Sequence, residues 1–407
     1  MLRLAIIAVS LTAVAAIAQE SPPRVADLVA RNTYPFEFSE TTLRGAGADF
    51  LRLQTTGAQF VLLGEDHMDH ATPLFAGVLF RMLHDAHGYR HLVVEQNPVA
   101  IEDALQPGVR GHAERIAAHA RRYPSLYEFD TDEDLTFLAQ VGALVPGGDA
   151  IWGVEQTTGA VRYLEELVAL APDGVARDRA TALLAAAQVA DPGPRYSVNW
   201  LAAATTAGDL AGLATVYPAP AASRAARLLE GLEKSAEIFG YYRRAEAGEY
   251  VGLYNNTVRE EVLRRNFLER YRAAATQARL PKAMFKFGAN HLYHGKNPTQ
   301  AFPIGNLAHE MALANDATGF GLYVIALGDG YRSYADYPAW LHPLLPAQAP
   351  RSPTVVDLRA LRPYQRLFRE GVAPDQVWEQ RAVLHGYDAI VILPGSREGV
   401  RVLGGRT

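Results

Sequence analysis

Cysteine is absent from all 407 residues. The chain can therefore hold no disulfide, no thiolate nucleophile and no Cys-based metal site, and its stability must come from a packed core. An excess of charge of one sign is lacking too. The 39 Lys and Arg stand against 44 Asp and Glu, a formal net charge of −5. No dense basic stripe interrupts that balance, so nucleic acid is not an expected partner. Beyond Ala18 no apolar run approaches membrane-spanning length.

Several catalytic signatures are missing as well. No GxSxG nucleophile elbow, P-loop or dinucleotide fingerprint follows a predicted strand. His309-Glu310 could open a zinc-protease helix, but Leu313 stands where the second His is required. An acyl-enzyme on serine and a nucleotide-driven reaction are thereby disfavoured. A directly activated water is the simplest nucleophile left, and His is its best base at neutral pH.

Met1–Ala18 has the pattern of a secretory signal peptide. Arg3 supplies the positive start, Leu4 to Ala15 the short apolar stretch, and Ala16-Ile17-Ala18 the small-residue cleavage site. No Cys follows, which excludes a lipid anchor on that residue type. The expectation is a secreted or periplasmic protein with no stable membrane anchor after cleavage at Gln19.

Six segments read as strands buried on both faces: Phe60–Gly64, His91–Gln96, Ala150–Gln156, Ala283–Gly288, Leu322–Leu327 and Ala389–Leu393. Each is short, apolar and bounded by Gly, Pro or charge. Between the first two, Leu74, Phe75, Val78, Leu79, Met82 and Leu83 recur at helical spacing, which predicts a βαβ unit and parallel strands. Thr131 with Asp134 three residues on predicts the start of another helix. Residues 157–280 break the alternation. They are rich in Ala, Leu, Arg and Glu and read as helices over Val161–Leu170, Arg177–Val189, Leu201–Val216, Ala222–Tyr242 and Tyr250–Ala278. The Pro-rich stretch Pro346 to Pro353 precedes a final strand–helix–strand section. The expected architecture is α/β, a mostly parallel sheet flanked by helices. It divides into a signal peptide over 1–18, a core over 19–156 and 281–407, and a helical insertion over 157–280 forming a cap over the carboxyl edge of the sheet.

Four of these strands end on ionisable groups: Gly64-Glu65-Asp66-His67, Val94-Glu95, Val154-Glu155 and Gly288-Ala289-Asn290-His291. In a parallel sheet those ends share one edge, where open α/β sheets bind ligands. Glu65, His67, Glu95, Glu155 and His291 should therefore converge. A lone buried carboxylate is costly, so mutual pairing is the natural resolution, and it separates acid and base roles. The plain alternative for Glu65 and Glu95 is capping of the helix that follows. Capping does not need an imidazole, which leaves His67 the stronger candidate. His70 lies on the turn after the first strand. Arg259 and Asn266 fall at helical spacing and can share a face. Of His291 and His294, the former is better placed at a strand end.

Taken in order, Gly64-Glu65-Asp66-His67, Glu95 after Leu92-Val93-Val94, Arg259-Glu260-x-x-Leu263-x-x-Asn266 and Gly288-Ala289-Asn290-His291-Leu292 resemble the superfamily of erythromycin-esterase-like, haem-binding-uptake and Tiki/TraB-type proteins. The likeness spans about residues 55 to 330. Two departures stand out: Gly288 and Ala289 precede Asn290 where the esterase branch has a His, and Glu260 replaces an Asp. The resemblance implies a hydrolase of an ester or amide, with a small-molecule or peptide substrate. His67 would take a proton from water, and Glu65 or Glu95 would orient it. His291 would be a second acid/base or carbonyl-polarising group. Arg259 and Asn266 would hold substrate or oxyanion, and Glu155, His70 and His294 would line the site. The Tiki-type branch implies instead that His67, Glu65, Glu95 and His291 hold a divalent metal, Zn or Mn. The haem-uptake branch implies iron ligated by His67, His70 or His294 with Tyr293.

Overall fold

The computed structural model describes residues 23–193, 195–276 and 279–403. The expected signal peptide, Met1–Ala18, lies outside them. Ten strands occur in chain order: β1 (Thr33–Pro35), β2 (Glu37–Phe38), β3 (Leu43–Arg44), β4 (Ala58–Glu65), β5 (His91–Val94), β6 (Ile151–Gly153), β7 (Ala283–Gly288), β8 (Thr318–Ala326), β9 (Thr354–Asp357) and β10 (Ala389–Leu393). β2 and β3 pair with each other, and the other eight form one sheet in the order β1-β9-β10-β8-β4-β7-β5-β6. From β10 to β6 every neighbouring pair is parallel. β9 runs antiparallel to β10, and β1 antiparallel to β9. The fold is thus α/β with a mostly parallel sheet flanked by helices, as the strand and helix pattern predicts.

Each of the six expected strands is present, although β5 and β6 stop at Val94 and Gly153, before the carboxylates. β6 is an edge strand and has β5 alone to pair with. The predicted βαβ unit is real in direction, but its two strands are not neighbours. β7, more than 200 residues after β4, inserts between β4 and β5. The end of β7 consequently falls between the ends of the other two, and this places the site.

Side chains alternate across β4. Phe60 and Leu62 enter one apolar core, while Val61 and Leu63 enter the other. The same alternation in β7 sends Phe285 and Phe287 to the first and Met284 to the second. The helix Ala71–His87 buries Phe75, Val78, Leu79 and Leu83 and ends on Gly88, whose φ of 71° is the left-handed stop that glycine permits. The helix Asp132–Leu144 begins as predicted, with the Thr131 hydroxyl accepting from the Asp134 N–H at 3.0 Å.

Among the described residues of 157–280 there are six helices: Val161–Leu170, Val175–Ala190, Asn199–Ala202, Thr206–Val216, Arg224–Glu246 and Tyr254–Ala274. The single helix expected over Leu201–Val216 is two, broken at 203–205. Tyr254–Ala274 lies directly on the sheet. Its Phe267 meets Phe60 and Phe285 edge-on at 5.9 and 5.1 Å between ring centroids. Burying a Phe of this kind is worth about 2–3 kcal/mol, so this contact holds the helix and the polar residues on it in a fixed place. Among the described residues no helix is long and apolar enough to cross a membrane.

Candidate functional site

At the carboxyl edge the alternation of the strands sorts the ionisable groups into two halves. Lys286 shares the face of Met284, and Glu65 follows Val61 and Leu63 on that same face. There Lys286 Nζ donates to Glu65 Oε1 at 2.7 Å and to Asp134 Oδ1 at 2.8 Å. All three are nearly inaccessible to solvent. A buried ammonium of this kind persists only when paired, and its two carboxylates hold the Lys286 pKa above its ordinary value despite burial.

The other half gathers under the helix Tyr254–Ala274. Arg259 donates through Nε and a terminal nitrogen to Glu155 at 3.0 and 2.6 Å, and that terminal nitrogen also reaches Glu95 Oε1 at 2.7 Å. Glu95 Oε2 accepts the Gly288 N–H at 2.7 Å, and His291 Nε2 stands 3.3 Å from Glu95 Oε1. His291 Nδ1 bonds Glu260 Oε1 at 2.6 Å, and Glu260 Oε2 accepts the Ile304 N–H at 2.9 Å, at the start of the helix Ile304–Ala314. Burial opposes charge on His291, but Glu95 and Glu260 overcome it and lift its pKa to about 10. It is therefore an imidazolium at neutral pH. Burial likewise favours neutral Glu95, yet His291, His67 and Arg259 hold its pKa well below the usual range. For Glu155 burial prevails, and Glu95 adds to it, so its pKa is raised even with Arg259 bound.

His67 joins the halves. Its Nδ1 lies 3.2 Å from Glu65 Oε1 and its Nε2 lies 3.6 Å from Glu95 Oε2. The ring stacks on Phe129 at 4.1 Å, and 31% of its side chain remains exposed, against 3–4% for the two glutamates. Burial pushes the pKa of the ring down, but Glu95 and then Glu65 outweigh it, leaving it above its ordinary value. Gly288 carries no side chain for a local reason: a Cβ there would run into His67 Nε2 and Cε1. The next residue, Met68, takes a left-handed φ of 73°. The segment after β10 fastens that turn, with Gly399 N–H donating to Met68 O at 2.7 Å and His70 N–H to Arg397 O at 2.9 Å.

Of the residues expected to converge, Glu65, His67, Glu95, Glu155, Arg259 and His291 form one contiguous network. Asn266 joins through the backbone, its amide donating to Val154 O at 2.8 Å just before Glu155. His70 and His294 stand elsewhere. His70 bonds Glu133 at 2.5 Å, while His294, about half exposed, pairs with Glu310 at 3.3 Å and stacks on His309. Lys286, Asp134, Glu260 and Phe129 were not foreseen. The signal for Lys286 was legible: it is the one charge inside the apolar run Ala283–Gly288.

The donor set does not fit the expected metal or haem. Glu65 faces Lys286, and Glu95 is occupied by Arg259, His291 and a backbone N–H. Among the described residues no group of three His, Asp or Glu is arranged to hold an ion. His67, His70 and His294 each have separate partners, and Tyr293 is buried against Tyr387.

The fold is shared with an erythromycin esterase. A mutant of erythromycin esterase EreC in its open conformation aligns with a TM-score of 0.55 at 17% identity, over 87% of this chain and 95% of that one. A succinoglycan biosynthesis protein aligns at 0.56 and 11% identity, over 92% and 97%. A Bacillus cereus protein aligns at 0.54 and 10% identity, over 93% and 99%. At these identities the likeness is one of fold. No protein-family model and no curated protein sequence matches the chain.

Proposed function

We propose that the chain is a secreted or periplasmic hydrolase that opens an ester or amide of a small or medium-sized molecule with a water activated by His67. The observation that carries this reading is the setting of His67. It is an imidazole about a third exposed, held between two buried carboxylates at the carboxyl edge of the sheet. Nδ1–H donated to Glu65 leaves Nε2 as the basic nitrogen. His67 Nε2 takes a proton from water as the oxygen adds to the acyl carbon. The proton then passes to the departing alkoxide or amine as the C–O or C–N bond breaks, giving acid and alcohol or amine. Glu95 stabilises the imidazolium formed in between. His291, already cationic, is committed to Glu95 and Glu260, so it holds Glu95 anionic beside His67 rather than acting as a second base. Arg259 is committed to Glu95 and Glu155, so its part is to hold the acidic floor together. Fold likeness to an erythromycin esterase agrees with this class of reaction.

The test is hydrolysis of a panel of esters, lactones and peptides by wild type and His67→Ala. A positioned base supplies ~10²–10⁴-fold, so the variant should lose at least about a hundredfold in kcat with its fold retained. Equal rates would remove the reading. Full activity in chelator is expected, and a chelator-sensitive rate restored by Zn or Mn would favour the metal-dependent peptidase instead.

A further inference from the structure

β4 leaves its ladder at Glu65. Its last partners are Gly288 of β7, opposite Glu65, and Tyr323 of β8, opposite Gly64. His67 lies two residues beyond that support, and Met68 after it holds its left-handed φ of 73°. A residue other than glycine keeps such a conformation only where its surroundings over-determine it. The segment after β10 grips the far side of this turn, at Met68 and His70. On the near side the grip is a side chain. Asp66 Oδ2 accepts from Arg332 Nη1 at 2.7 Å and from the Tyr337 hydroxyl at 3.0 Å. Both donors follow β8. The hydroxyl of buried Tyr337 also stands 3.4 Å from Ala326 O, at the end of that strand. The Arg332 guanidinium lies over the Tyr331 ring at 5.3 Å, and Gly328 N–H closes the turn that carries it by donating to Arg332 O at 2.9 Å. The two grips share a base, because Ser396 N–H donates to Leu327 O at 2.7 Å.

We propose that Asp66 is a positioning residue for His67: through Arg332 and Tyr337 it takes over where the ladder ends and fixes the backbone that carries the ring, with Nδ1 at Glu65 and Nε2 at Glu95. Its effect on rate rests on the hydrolase reading, while its effect on the ring does not. Asp66 bonds toward the end of β8, and the His67 ring lies over Gly288 of β7. The peptide between the two residues is planar, so slack at one is passed to the other. Both bonds fall on a single oxygen of Asp66. An amide oxygen can accept both, so the anchor needs an acceptor rather than a charge.

The test sets Asp66→Ala against Asp66→Asn in the whole chain. The His67 ring is titrated by proton NMR, its signal assigned by its loss in His67→Ala, and the same proteins are assayed on the ester, lactone and peptide panel. Asp66→Ala should lose about tenfold or more in kcat with KM little moved. Its His67 titration should fall toward the ordinary value of about 6.5 as the ring leaves its two carboxylates. Asp66→Asn should stay near wild type in both. Tyr337→Phe and Arg332→Met each remove one bond and should fall in between, which carries the test if Asp66→Ala does not fold. Unchanged kcat and titration in Asp66→Ala overturn the proposal. So does an Asp66→Asn protein as impaired as Asp66→Ala, which would make charge the cause, or a change in KM alone, which would make Asp66 a substrate contact. If wild type turns over nothing in the panel, the hydrolase reading fails alone and the titration decides the anchor.

Discussion

Two glutamates of like chemistry flank His67, and their surroundings give them different parts. Glu65 is tied to Lys286 and orients Nδ1, whereas Glu95 is held anionic by Arg259, His291 and the Gly288 N–H and faces Nε2. Lys286 also opposes the proton on His67. Lys286→Met should therefore shift the base limb of the pH–rate profile to higher pH. It also leaves Glu65 and Asp134 buried without their cation, which costs on the order of 3–5 kcal/mol in denaturant melts. A profile that does not move would show Lys286 to be structural alone. Gly288→Ala tests steric room. The added methyl must displace the His67 ring, and a fall in kcat of about tenfold or more with little change in Tm is expected.

At the scale of elements, the segment after β10 acts as a strap. Besides Met68 and His70, it ties down residues 130–133, through Val402 N–H to Asp130 O at 2.9 Å and Val400 N–H to Glu133 at 3.0 Å. It thus fixes both the turn carrying His67 and the stretch carrying Phe129, which stacks on the ring. Removing residues 397–407 leaves β10 intact. The expected result is a folded protein with a normal circular-dichroism spectrum and a large loss of kcat. Retained activity would show that the Met68 turn holds itself. The strap was not legible beforehand, because residues 394–403 have no apolar periodicity and bind through backbone groups and through Ser396, Arg397 and Arg401, whose partners are remote in the chain. The helices were legible, since caps such as Thr131 and runs such as Leu74 to Leu83 act locally.

Across the whole molecule, charge is pooled at one edge of the sheet, and its linkage to pH follows. The folded pKa of His291, about 10, lies above its unfolded value. Its contribution to stability is whole below about pH 6.5, declines as pH rises and is gone above about 10. Wild-type Tm should accordingly fall between pH 7 and 10. In Glu260→Gln, where His291 loses a counter-ion, that fall should flatten, and parallel melting curves would refute the assignment. The sequence by itself determined the α/β class, the six parallel-type strands and the placing of acids and imidazoles at strand ends. Those are properties of short apolar runs and the residues that stop them. It also separated His67 from mere capping groups. Only the tertiary structure decided partners and charge states. Local pattern does not say that β7 lies between β4 and β5, yet that order alone brings Lys286 to Glu65 and His291 to Glu95. Nor does it say which acid faces His291. Glu95 and then Glu260, the latter met in the sequence as an exchange for Asp, turn that imidazole from a candidate base into a fixed cation, because together they outweigh the cost of burying its charge.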